Sequence, residues 1–160
     1  MNREALWPYA LEVYGRPGVE PLLLTLQDVH GQCAPFLLWS LWLAASGRPT
    51  VAAKLAAGAE LARAWQDAAV APLRTLRRDL KRRGGAKTAH ARSRIRDGVK
   101  ALELEAERML LQMLEKASPA PEDPSGDTPS DPLDALRRGA GAWGGDAPSA
   151  LLDELARLAA

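Results

Sequence analysis

Apolar residues recur at steps of three and four along most of this chain, which is the spacing of one face of an α-helix. A first helix is predicted over residues 3–14, with Asn2 as its N-cap and Pro8 either in its opening turn or marking a later start. Gly15, Pro17 and Gly18 then form a turn cluster. A second helix is predicted over 19–30, with Val19, Leu22, Leu26 and Val29 as its buried face and Gly31 as a C-terminal cap of positive φ. The segment 34–46 is apolar all round, including Phe36, Leu37, Leu38, Trp39, Leu41, Trp42 and Leu43. At that length it is too short to span a bilayer, so it is expected to be a central core helix.

Thr50 is expected to cap a long fourth helix over 50–83. Its stripe runs Val51, Leu55, Gly58, Ala62, Trp65, Ala69, Leu73, Leu76, Leu80, with a kink at Pro72. Beyond the Gly84-Gly85 break, a fifth helix over 88–116 carries Ile95, Val99, Leu102, Ala106, Met109 and Met113 on one side. Two such stripes around a tight turn predict an antiparallel helical hairpin. After Ala117 the pattern stops. Residues 118–148 are rich in Pro, Gly and acidic side chains and are expected to be a mostly disordered linker, with a short helix possible over 133–138. A small amphipathic docking helix over 149–160 follows, capped by Ser149, with Leu151, Leu152, Leu155 and Leu158 as its apolar face. The expected fold is therefore all-α: about five helices over 2–117, the short apolar ones packed on a long kinked hairpin, with a disordered C-terminal tail.

Composition narrows the functional classes. The 160 residues are 47% hydrophobic, enough to bury a core, and the single cysteine excludes an internal disulfide framework. Two histidines make a multi-histidine metal centre an unpromising reading, and neither a signal-peptide core nor a spanning segment is evident, so a cytoplasmic location is expected. The net charge of +1 hides a strong segregation. Residues 1–73 carry −1, residues 74–100 carry +9, and residues 103–160 carry −7. The basic block comprises Arg74, Arg77, Arg78, Lys81, Arg82, Arg83, Arg92, Arg94 and Arg96, with Lys87 and Lys100. Crowded at one end of a hairpin, these side chains make a candidate site for an acidic partner, nucleic acid or an anionic surface, or else a solvated face. The block lacks aromatics, so single-stranded bases would have no stacking platform.

One polar cluster interrupts the hydrophobic half: Gln27, Asp28 and His30, followed by Cys33. Cys33 as nucleophile with His30 as base is a conceivable catalytic pair, yet Gly31 should end the helix between them. Asp28 has a structural alternative in Arg74, Arg77 or Arg78, and Glu103 with Glu107 is placed to receive arginines from the paired helix. Nothing has the spacing of a metal site or a phosphate-binding glycine loop, so no catalytic residue, metal or cofactor is assigned. Among the tryptophans, Trp143 stands alone in a glycine-rich stretch and is the one expected to meet a partner.

Several segments carry a resemblance. Trp7 with Tyr14, Pro17-Gly18-Val19, Leu26-Gln27-Asp28 with Gly31, Pro72-Leu73-Arg74, Arg77-Arg78-Asp79-Leu80-Lys81 and Glu103-Leu104-Glu105-Ala106-Glu107 resemble a small all-helical proteobacterial family of unknown function over residues 5–115. The resemblance implies a bacterial, cytoplasmic protein and brings no activity or site residue with it. The functional expectation is a non-enzymatic protein-interaction or adaptor module. The alternatives are nucleic-acid or anionic-surface binding through 74–100, and an enzyme or small-ligand protein built around Asp28 and His30. A homodimer stays open.

Overall fold

A computed structural model describes residues 5–120 and 131–160. Among these the chain is all helix, in seven helices rather than about five. They are α1 (Leu6–Tyr14), α2 (Val19–Asp28), α3 (Ala34–Ala45), α4, α5 (Ala89–Lys116), α6 (Pro132–Trp143) and α7 (Ser149–Ala159). Helix α4 is continuous over 52–82 and consists of Ala52–Trp65, a π turn at Gln66–Val70, and Ala71–Arg82. A short 3₁₀ turn, Ala86–Thr88, leads into α5. None of the described helices is long and apolar enough to cross a membrane.

Helix α3 is the centre. Every residue from Ala34 to Ala44 is buried, and α1, α2, α4, α5 and α6 all pack on it. A helix apolar on every side has to be enclosed in this way. Its few polar groups are satisfied locally. Ser40 Oγ donates to the Phe36 carbonyl (2.9 Å), and Trp39 Nε1 donates to Ser118 Oγ (3.1 Å) at the end of α5. Gly58 of α4 faces Trp39 so closely that a Cβ there would lie 2.5 Å from the indole Cη2.

The helix ends differ from expectation in physically simple ways. Helix α1 starts at Leu6, and the Leu6 N–H, free at a helix N-terminus, donates to Glu115 Oε1 (3.0 Å) from the far end of α5. The expected cap, Asn2, lies outside the described residues. Helix α2 stops at Asp28, two residues early, so Val29 is 71% exposed and Leu23 takes the buried position instead. Gly31 does have positive φ, 67°, and the turn lets the Gln32 N–H reach the Leu26 carbonyl at 3.0 Å. Thr50 and Ser149 are not caps: Val51 and Pro148 occupy those positions.

The kink expected at Pro72 takes the form of the π turn immediately before it. Proline has no N–H to give the preceding turn, and its ring crowds the carbonyl four residues back, so one wider turn absorbs the mismatch. Beyond that turn α4 leaves the core. No residue of Ala71–Arg82 is fully buried, and this half packs antiparallel against α5 alone among the long helices. The hairpin stripes are accordingly half used. Val99 and Ala106 are buried, whereas Leu76, Ile95, Leu102 and Met109 are exposed.

The expectation of a disordered tail is corrected for its described part. Helix α6 packs on α3 and α4, with Ala135, Leu136 and Ala140 buried and Gly139 pressed directly on Ser40. Helix α7 packs on α2 and α6 through Leu152, Leu155 and Ala159. Trp143 is a pin inside the fold rather than a free aromatic. Its Nε1 donates to the Gly31 carbonyl (2.8 Å), its ring lies 5.6 Å from Phe36, and the Arg63 guanidinium covers it at 5.1 Å.

Candidate functional site

Glu103 and Glu107 are one turn apart on α5 and point the same way. Opposite them, α4 presents Arg74 and Arg77, also one turn apart. Arg74 Nε donates to Glu103 Oε1 (2.9 Å) and its Nη2 to Glu107 Oε1 (3.1 Å), while Arg77 Nε donates to Glu103 Oε2 (2.5 Å). The α2 segment Gln27-Asp28 closes the same network. The Gln27 side-chain carbonyl accepts from Arg74 (3.4 Å), and Asp28 pairs with Arg78 (3.1 Å) with both side chains exposed. Of the arginines considered for Asp28, Arg78 is thus its partner.

The two carboxylates titrate in opposite directions. Burial raises Glu103, but hydrogen bonds from Arg77 and Arg74 and their charges outweigh it, leaving its pKa below the usual carboxylate value. Burial also raises Glu107, with the Glu103 charge adding to it, and the Arg74 charge and hydrogen bond and the Arg77 charge do not offset this, so its pKa stays above the usual value. Nearby, burial with the charge and hydrogen bond of Glu20 pushes the Tyr14 hydroxyl up to about 12.

Tyr14, Arg77, Glu103 and Glu107 form one wall of a groove of about 580 Å³ between α1, α2, α3 and α5. Its floor is apolar, with Ala34, Pro35, Leu38 and Leu111. Trp7 stands at one side, and Leu11, Leu24 and Leu104 form the lip, 52%, 41% and 55% exposed respectively. Glu20, Asp97, Glu103 and Glu107 line it against Arg77 and Lys100, an excess of carboxylate.

The other residues singled out by sequence lie elsewhere. His30 Nδ1 is 3.4 Å from Asp146 on the α6–α7 connection, away from Asp28 and its partner. Cys33 is buried, accepts a hydrogen bond from Gln66 Nε2 (3.3 Å), and burial pushes its thiol up to about 11. Such a thiol is protonated near neutrality and is a poor nucleophile. Of the basic block, Arg92 caps the end of α4 by donating to the carbonyls of Leu80, Gly84 and Gly85. Arg82 and Arg83 pair with Asp79 on their own helix (2.7 and 3.6 Å), and Arg96 keeps a buried Nε without a hydrogen-bond partner. Lys81 and Arg94 are exposed. The α7 leucines Leu151, Leu152, Leu155 and Leu158 all pack on the chain's own core.

Sequence reasoning found the charged network but missed the groove, whose lip residues Leu11, Leu24 and Leu104 belong to none of the predicted buried faces. They line the gap that α1, α2 and α5 leave between them. Among the described residues no group of three His, Cys, Asp or Glu is placed to hold a metal ion. No curated protein and no solved structure matches the chain. A family model described as a protein of unknown function (DUF2390) matches residues 5–114, a span running from the start of α1 almost to the end of α5 and stopping short of α6 and α7. Spanning both sides of the arginine–carboxylate network and most of the hydrophobic core, that match makes the chain a member of the DUF2390 family.

Proposed function

We propose that this protein is a non-catalytic interaction module that receives a helical segment of a partner protein in the groove between α1, α2 and α5. The partner segment carries an apolar stripe flanked by lysine or arginine. The observation that carries this reading is the uncovered leucine lip, Leu11, Leu24 and Leu104, over an apolar floor with carboxylates in excess along the wall. An apolar groove of this kind is what an amphipathic helix docks into, and the flanking charge selects the sign of the incoming side chains. An enzyme reading finds less support. Cys33 is sealed, Asp28 is held by Arg78, and His30 faces Asp146 rather than either.

An 18-residue amphipathic Leu/Lys helix and its Leu/Glu counterpart serve as probes, with tryptophan fluorescence as the readout because half-buried Trp7 sits at the groove edge. The Leu/Lys probe is expected to bind, with at least tenfold weaker binding (~1.4 kcal/mol) to the Leu104→Glu variant, and the Leu/Glu probe is not. Equal binding to wild type and variant, or none at all, would overturn the proposal.

A further inference from the structure

The hairpin end farthest from the core has a different character from the groove. Residues 80–96 hold seven Lys or Arg and no Asp or Glu. The structure sorts the cations of the basic block by what they already do. Arg74 and Arg77 are engaged with Glu103, and Arg92 is engaged with backbone carbonyls. Arg96 is half-buried, whereas Lys81, Arg82, Arg83, Lys87 and Arg94 are exposed around the Gly84-Gly85 turn. Thr75, Arg78, Lys81 and Arg82 line a shallow depression on the outer face of α4, combining a hydroxyl with three cations. Arg78 and Arg82 already have carboxylate partners there, but both arginines are exposed. Exposed pairs contribute only about 0–1 kcal/mol, so a phosphate can replace the carboxylate at little cost. Lys87 and Arg94 extend the same charge across the turn onto the other strand of the hairpin.

We propose that the tip of the α4–α5 hairpin is a phosphodiester-binding site that docks on the backbone of double-stranded nucleic acid without reading its sequence. Two further observations select this polyanion. No Phe, Trp or Tyr occurs between Trp65 and Trp143, so unstacked single-stranded bases have nothing to stack on. The turn itself carries Gly84, Gly85, Ala86, Ala89 and Ala91, which offer no bulky apolar wedge to enter a lipid surface. What remains is charge presented on a rigid two-helix arm, suited to phosphate contacts that position without specifying.

The test is fluorescence anisotropy of a labelled 20-base-pair DNA duplex titrated with full-length protein between 50 and 200 mM KCl. Four to five phosphate contacts give a slope of log K against log salt of about −4, at roughly −0.9 per contact. The triple variant Lys81→Gln/Lys87→Gln/Arg94→Gln removes side chains outside the internal network, so helical circular dichroism stays unchanged. It is expected to bind at least tenfold more weakly at 50 mM salt, with the slope flattened by about 3. Leu104→Glu, in the groove, is expected to leave duplex binding unchanged, so this site and the groove fail separately. The proposal is overturned if the duplex does not bind at 50 mM salt or if the triple variant keeps the wild-type slope. It is equally overturned if phosphatidylserine vesicles bind while the duplex does not.

Discussion

Glu103 and Glu107 show how one helical turn separates two roles. Glu103 has a depressed pKa, so the fold favours its ionised form. The stability it contributes is present above the unfolded carboxylate value of about 4.3 and is lost as pH falls through its own lower value. Glu107 is raised, so the sign reverses: its protonated form is favoured, and that gain is lost as pH rises through its folded value. Glu103→Gln should therefore cost about 3 kcal/mol at pH 7, because two arginines lose their shared carboxylate. Glu107→Gln should cost about 1 kcal/mol or less, since the amide still accepts from Arg74. Urea unfolding checks both, and the gap between the variants should narrow as pH falls from 7 toward 3. Gly58→Ala is a second residue-scale case. Crowding Trp39 costs about 1–3 kcal/mol, against about 1 kcal/mol gained in helix propensity, so net destabilisation is expected in the same assay. The charged network was largely legible in sequence, because side chains three and four apart on paired helices have few other places to go. Gly58 was legible as a small residue on a stripe. Gly139, equally tight against Ser40, was not, because the short helix possible over 133–138 stops before it.

At the scale of elements, periodicity locates helices well and their partners poorly. The stripe Ile95–Leu102–Met109 reads in sequence like a buried seam, yet it faces solvent because the far half of α4 covers only one side of α5. Helix α6 fails in the opposite direction. Pro132, Gly139 and Gly141 make it look like linker, and tertiary packing of Leu136 and Ala140 on α3 overrides that propensity. The energetic ranking follows burial. Leu136→Ala and Leu155→Ala should each cost about 2–4 kcal/mol, the range for emptied core leucine sites. Leu102→Ala, on the exposed stripe, should fall within about 0.5 kcal/mol of wild type. Guanidinium midpoints at constant slope distinguish the two groups.

For the molecule as a whole, the decisive fact is that α3 is enclosed by helices from both ends of the chain. Glu115 holds the start of α1, Arg16 donates to the Leu158 carbonyl of α7 (3.2 Å), and α6 lies across α3 itself. A fragment comprising residues 1–117 should therefore bind more of an apolar dye such as anilinonaphthalene sulfonate than the full chain does and unfold with a broader transition. The groove and the basic tip occupy different parts of this frame: the first needs α1 and α2 to exist, the second only the hairpin. That is why charge segregation was visible along the sequence while the groove was not.

The enclosure of α3 also sets a timetable for synthesis. Its eleven buried positions leave the ribosome about 100 residues before Ala140 of α6 does, so at translation rates of about 5–20 residues per second the most apolar helix waits on the order of ten seconds for its last cover. Throughout that interval the side of α3 that α6 covers, with Phe36 and Ser40, stays open. The chain is thus more prone to aggregation and more dependent on chaperones before α6 is made, and slowing translation between α5 and α6 should lower the soluble yield without altering the stability of the folded protein.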